Sequence, residues 1–249
     1  MTQPRHHASP AIAIETSGRI GSIALSEGPQ LVQAAVFSAE LRHAVELLPA
    51  IDAICRDHGV APSELTEVYV SGGPGSFTGL RLGITVARML VWAGHGRVRA
   101  VRVPTLEVIA QNCLETPKPP KDLVVLLDAK RGRVYAATFT LDQARYRRVT
   151  EPAERKVAEL ASTLPDRCAA VGEGIAYHRT AVDRARLTVL PEELNRPRAE
   201  VVHALGFARA AAGDFDGPAA LVPIYVRRPE AEEVWERRHK ESEPGPHSG

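Results

Sequence analysis

Cysteine, an excess of charge of either sign, and long apolar runs are all scarce in this sequence. Only Cys55, Cys113 and Cys168 occur, far apart and with no CxxC pair, which excludes a disulfide framework and a thiolate zinc site. Thirty-one Lys and Arg stand against thirty Asp and Glu, a formal net charge of +1, so the chain is not a dedicated polyanion binder and any contact with nucleic acid is local or indirect. The opening MTQPRHHASP has no apolar leader region, and no later stretch reaches the roughly 20 apolar residues of a bilayer span. A cytoplasmic protein without membrane contact is expected. What the sequence does have is 249 residues at 44% hydrophobic content, enough for a full core in one large domain or two lobes.

Residues 11–38 alternate with the period of strands: AIAIE, a turn at TSGRI, GSIALSE, a second turn, then LVQAAVFS. LRHAVELLPAIDAICRDHG follows, with Leu41, Val45, Leu48, Ile51 and Cys55 at helical spacing, Pro49 as an expected kink or break and Gly59 as the stop. VYVSGG reads as a buried strand, GPGSFTG as a loop, LRLGITVARMLVWAG as a helix, VRAVRV as a strand and PTLEVIAQNCL as a helix opened by proline. After the linker ETPKPPKD the same order returns. LVVLLDA, VYAATFTLD and a strand near YRRVT precede a helix across EPAERKVAELAST. Strand CAAVG, helix GIAYHRTAVDR, strand RLTVL and helix AEVVHALGFARAAAG then complete the series.

The expected organisation is two lobes, 1–113 and 114–230, each a βββαβαβα unit, followed by a charged tail, 231–249, expected to be disordered. The element VPIYVRRP has no obvious place in that scheme. Two such units in succession resemble the plan of the actin-like ATPase, sugar kinase and Hsp70 superfamily, an α/β fold in which hairpin turns from both lobes meet a nucleotide. Fold likeness alone does not establish a function.

The most specific segment is GGPGSFTGLRLG, residues 72–83, between a strand and a helix. Its glycines permit backbone geometries closed to other residues, and Ser76 or Thr78 can cap the helix. Amides at a helix start also favour an anion, so a tight structural turn and a phosphate cradle both remain open. A P-loop is excluded because no GlyLysSer or GlyLysThr ends it, and no GxGxxG occurs. Thr16 and Ser17 of the first turn, with Gly75 and Ser76, are the candidate phosphate ligands. Gly172 and Gly174 are candidates for an adenosine-binding turn. Asp128, Lys130, Arg131 and Arg133 mark the corresponding turn of the second lobe, either a solvated basic hairpin or a phosphate or tRNA contact. Arg145, Arg147 and Arg148, and Arg237, Arg238 and Lys240, are further basic clusters. A peptidase triad of Ser76, His43 and Asp128 lacks the GxSxG elbow.

The run GGPGSFTGLRLGITVARML, preceded by AIAIETS and RHAVELLP and followed by VPTLEVIA, DAKRGRVYAA and PIYVRRPEA, resembles the bacterial TsaB (YeaZ) family. The matches lie in order between about residues 11 and 233 and are dense in the first lobe. The resemblance implies a paralogue of the catalytic subunit TsaD that has lost the metal site. It further implies a scaffold for forming N6-threonylcarbamoyladenosine at position 37 of tRNAs reading codons that begin with A, in partnership with TsaD and the ATPase TsaE. The tRNA would be reached through the complex, and the chain alone would form a homodimer.

The catalytic relatives carry HisxxxHis on the helix after the first three strands. Here His43 is present and the position four later is Leu47, an apolar side chain that cannot ligate. No metal is expected, and ATP or ADP only at an assembly interface. Glu15 stands where the family commonly has Asp. The partner-binding candidates are His43, Leu47, Leu48, Ile51, Leu80, Gly83, Ile84 and Ala87, on two helices of which the second is apolar nearly all round. On this reading Leu47→Glu or Ile84→Glu abolishes assembly and leaves the fold intact. An active ATP-dependent kinase or ATPase of the same superfamily is the alternative.

Overall fold

The computed structural model describes residues 9–38, 42–224 and 226. The tail 231–249, the cluster Arg237, Arg238 and Lys240, Leu41 and half of VPIYVRRP (225 and 227–229) lie outside the described residues.

The first unit contains β1 (Pro10–Glu15), β2 (Ser22–Glu27), β3 (Gln30–Val36), α1 (His43–Asp57), β4 (Glu67–Gly73), α2 (Phe77–Ala93), β5 (Arg99–Pro104) and α3 (Thr105–Asn112). The second contains β6 (Asp122–Asp128), β7 (Val134–Asp142), β8 (Arg145–Arg148), β9 (Ala153–Arg155), α4 (Val157–Ala161), β10 (Ala169–Val171), α5 (Gly174–Tyr177), α6 (Arg179–Arg184), β11 (Thr188–Val189) and α7 (Ala199–Ala211). The first sheet runs β3-β2-β1-β4-β5 and the second β11-β10-β6-β7-β8, with β9 added beside β7. In each, the leading strand sits centrally, β1 antiparallel to β2 and parallel to β4, and β6 antiparallel to β7 and parallel to β10. The fold is therefore the two-lobed actin-like ATPase and sugar kinase type of α/β architecture.

Alternation along β1 decides which helices cover which face. Ile12 and Ile14 join Ile23, Leu25, Val68 and Val70 under α1 and α2. Ala11 and Ala13 point the other way, with Ala24, Tyr69, Val101 and Val103, toward α7. Small side chains on that face let α7 lie close. A methyl at Gly206 of α7 would stand 2.5 Å from the Tyr69 ring. Ser22 anchors the start of α7, its hydroxyl accepting from the Ala199 amide at 3.0 Å. The sequence reading counted this helix with the second lobe; the structure lays it on the first sheet, because that is where a face of alanines is left to cover. α3 is buried between the two sheets: its Val108 belongs with the α7 side of the first, and Leu106, Ile109 and Ala110 pack on Leu123, Val125 and Phe139 of the second.

Three other expectations change in detail. Pro49 lies within α1 without ending it. The helix expected over 151–163 shrinks to α4, because Ala153–Arg155 pair with β7 instead. The helix expected over 174–184 is divided at His178 into α5 and α6.

Candidate functional site

Two equivalent turns, one following each leading strand, hold Glu15, Thr16 and Ser17 in the first unit and Asp128, Lys130, Arg131 and Arg133 in the second. After β1, the Glu15 side chain curls back on its own turn, with Oε1 accepting from the Ser17 amide and hydroxyl, both at 2.5 Å. Burial pushes the Glu15 carboxyl above its usual range, partly offset by the Ser17 bonds. Thr16 donates its hydroxyl to the Gly79 carbonyl at 2.8 Å, and the Ser76 amide donates to the Ser17 carbonyl at 2.8 Å. Ser76 caps α2 by accepting from the Gly79 amide at 3.2 Å.

These contacts decide what the glycines are for. A Cβ at Gly79 would lie 2.0 Å from the Thr16 carbonyl oxygen, one at Gly75 2.5 Å from that of Ser17, and one at Gly83 2.3 Å from the Thr16 hydroxyl. The turn and the start of α2 are thus pressed together backbone to backbone. Thr16, Ser17, Gly75 and Ser76 lie together, the Ser76 amide on the Ser17 carbonyl and the hydroxyls of Thr16, Ser17 and Ser76 engaged with Gly79, Glu15 and Gly79. In the second unit Gly172 and Gly174 play the matching part, since a Cβ on them would meet the Leu126 carbonyl oxygen at 2.3 and 2.8 Å.

The turn after β6 is built differently. Lys130, Arg131 and Gly132 are successive left-handed residues, with φ of 64°, 52° and 73°. Asp128 accepts from the Lys130 amide at 3.1 Å and from its ammonium at 2.7 Å, and lies 3.3 Å from His178 Nε2. Burial works against ionisation of Asp128, but the Lys130 bonds and His178 outweigh it and hold the carboxyl below its usual range. The Lys130 ammonium stands 5.2 Å from the centre of the Tyr177 ring, and Arg19 of the first unit donates to the Tyr177 hydroxyl at 3.4 Å. Beside this cluster lies a cleft of about 710 Å³ between the units, lined by Gly18, Arg19 and Ile20 on one side and by Glu173, Tyr177, Arg179 and Asn195 among others on the opposite one. Sequence reasoning missed Arg19, Tyr177 and Arg179. Their only sequence signal is basic residues around a lone tyrosine, and two distant segments supply them.

On α1, His43 is buried with Nε2 3.0 Å from the Gly18 carbonyl, so the histidine holds the first turn in place. Leu47, one helical turn later, is sealed in the core at 1% exposure. Ser76, His43 and Asp128 are each engaged with different neighbours, the first two in the first unit and the third in the second, and do not form a relay. Cys113 and Cys168 are buried, and burial pushes both thiols up to about 12. Among the described residues no group of three or more His, Cys, Asp or Glu could hold a metal ion.

Residues 38–231 match the profile of the family described as "TsaD: tRNA N6-adenosine threonylcarbamoyltransferase". The chain belongs to the TsaD family. Within it the likeness is to TsaB (YeaZ) proteins. The tRNA threonylcarbamoyladenosine biosynthesis protein TsaB of Bacillus subtilis is 28% identical over 235 residues, covering 90% of this chain and 96% of that protein. The Escherichia coli protein of the same name is 29% identical over 133 residues, 53% of this chain and 55% of its own length. The solved structure of YeaZ from Pseudomonas aeruginosa superposes with a TM-score of 0.75 at 26% identity, over 87% of this chain and 99% of that one.

Of the eight residues that the TsaB resemblance put at a partner surface, Leu48 alone is exposed, at 56%. His43, Leu47, Ile51, Leu80, Gly83, Ile84 and Ala87 are buried, and Leu47, Ile51, Ile84 and Ala87 form part of the core that α1 and α2 share with the first sheet. A glutamate at Leu47 or Ile84 would therefore be buried unpaired in that core, and the fold would not survive it. The apolar side chains that these two helices turn outward are Val45, Leu48, Phe77, Met89 and Trp92, the last 80% exposed. No acidic residue occurs between Glu67 and Glu107, so the outer face of α2 is apolar and basic, with Arg81 over the Phe77 ring at 4.0 Å. No helix among the described residues is long and apolar enough to cross a membrane.

Proposed function

We propose that this protein is a non-catalytic subunit in the formation of threonylcarbamoyladenosine on tRNA, a scaffold that binds a TsaD-like catalytic subunit through the outer faces of α1 and α2, with a TsaE-like ATPase joining the assembly. The names of its relatives supply the pathway. The observation that carries the scaffold role is Leu47: it fills the place of the second histidine of the HisxxxHis pair with a core side chain, and leaves His43 bonded to the Gly18 carbonyl. One imidazole tied to the backbone cannot replace a facing pair as a metal anchor.

The outward apolar residues support the partner surface. Val45 and Leu48 stand one turn apart on α1, as do Met89 and Trp92 on α2, and all are more than half exposed. Because they lie outside the core, charging them tests assembly without breaking the fold. Leu48→Glu with Met89→Glu is expected to keep the thermal midpoint of the parent, to abolish co-elution with the TsaD-like subunit, and to stop threonylcarbamoyl transfer in a reconstituted mixture that depends on this chain. Transfer by the isolated chain, or full assembly by the folded double variant, would overturn the reading.

A further inference from the structure

Resting on that reading, we infer that this subunit contacts RNA directly: the rim of the cleft, formed by the Lys130–Arg131 hairpin, Arg19, Arg179 and Tyr177, takes an unpaired nucleotide stacked on the Tyr177 ring with its flanking phosphates on the surrounding cations. Tyr177 is 53% exposed, with cations placed around it. Lys130 lies 5.2 Å from the ring centre, Arg19 reaches its hydroxyl, and Arg179 follows two residues later with its side chain 62% exposed. An exposed aromatic ringed by guanidinium and ammonium groups is the surface that single-stranded nucleic acid uses, since every base has a face to stack and every phosphate a charge to neutralise.

The hairpin itself argues for a role beyond folding. Lys130 and Arg131 both occupy left-handed backbone geometry, where glycine, asparagine or aspartate is cheaper, and both are exposed at the tip. The bond from the Lys130 ammonium to Asp128 offsets part of that cost, and the tip still holds two long cations where a smaller residue would be less strained. Acidic groups are near, and Asp183 pairs with Arg179 at 3.0 Å. Asp128 is engaged by Lys130 and His178, while Glu173, Glu192 and Glu193 line the cleft. Their charge holds phosphates at the rim and leaves the cleft interior to a base, whose amino groups a carboxylate can accept. A patch this small also agrees with a chain of net charge +1.

The test is fluorescence anisotropy of an end-labelled, unmodified tRNA transcript titrated with the full-length chain at several salt concentrations. Replacing both tip residues, Lys130→Asn with Arg131→Asn, is expected to weaken binding about tenfold and to flatten the logarithmic salt slope by roughly 1.5, the loss of two phosphate contacts. Its thermal midpoint is measured alongside, since asparagine relieves the left-handed geometry while the Lys130–Asp128 bond is lost. Tyr177→Ala is expected to weaken binding by roughly fivefold to a hundredfold with the salt slope unchanged, the signature of lost stacking. Arg145→Ala with Arg147→Ala, on the edge strand β8, should bind as the parent does. A folded tip variant that binds the transcript like the parent would show a purely structural hairpin and end the proposal. So would an equal loss from the β8 pair, or no binding by the parent. A chain that supports transfer in the reconstituted mixture while the tip and Tyr177 variants bind normally loses this inference alone, whereas a chain dispensable in that mixture loses the scaffold reading, whatever the anisotropy shows.

Discussion

In the first sheet the turn after the leading strand is roofed by a helix; in the second, the same turn stands open at the rim of the cleft. The two sheets have one strand order, and the two turns hold equivalent places in it. Residues 15–18 are pressed against Gly75, Gly79 and Gly83, held there by the Thr16 hydroxyl on the Gly79 carbonyl and the Ser76 amide on the Ser17 carbonyl. Residues 128–133 carry three left-handed positions and a cluster of cations. A repeated topology supplies two places where backbone amides and side chains could meet a ligand, and in this chain one has been given over to packing while the other has kept its charges.

Substitutions in the paired turns test that difference directly. Gly79→Ala forces a methyl onto the Thr16 carbonyl and is expected to cost about 3 kcal/mol or more in denaturant unfolding, since backbone rather than a movable side chain blocks it. Leu47→Ala should come next at about 3 kcal/mol, a core cavity, while Leu48→Ala on the next residue stays within about 0.5 kcal/mol. Gly132→Ala meets no atom within 4 Å, so only its left-handed geometry is strained, for about 1 kcal/mol. A cost at Gly132 equal to that at Gly79 would erase the contrast between closed and open turns.

The smallest effect is a pH dependence at Glu15. Its folded pKa lies above the usual 4.5, so its contribution to stability is complete below about 4.5 and is lost as pH rises through the folded value. Glu15→Gln, which mimics the protonated side chain, should therefore melt higher than the parent at pH 8, with the gain fading as pH falls toward 4.5. A gain that grew at low pH would mean that the buried carboxylate is better accommodated than its surroundings indicate.

Much of this architecture was legible in the residues. The alternation of AIAIE announced a strand with two unlike faces, Ser76 was readable as a cap, and the missing partner of His43 was plain at Leu47. What escaped was set by tertiary contacts. Leu47 and Leu48 are identical in sequence terms, and with α2 apolar nearly all round, nothing local said which of the two faced inward. The helix expected at 151–163 gave way because an edge of β7 was free to pair Ala153–Arg155, a fact about a distant strand. The cleft draws on Arg19, Tyr177 and Asn195, which no spacing rule connects.

The return of α7 to the first sheet has a consequence for how the chain is made. Ala11, Ala13 and Ala24 emerge from the ribosome near the beginning, and the helix that covers them, Ala199–Ala211, emerges near the end. Until then the sheet can have only one side dressed, and contacts so distant along the chain close slowly. A message cut short anywhere between the two would yield a first half with a bare side, a client for chaperones and proteases, so that only a product translated through α7 has a finished first sheet.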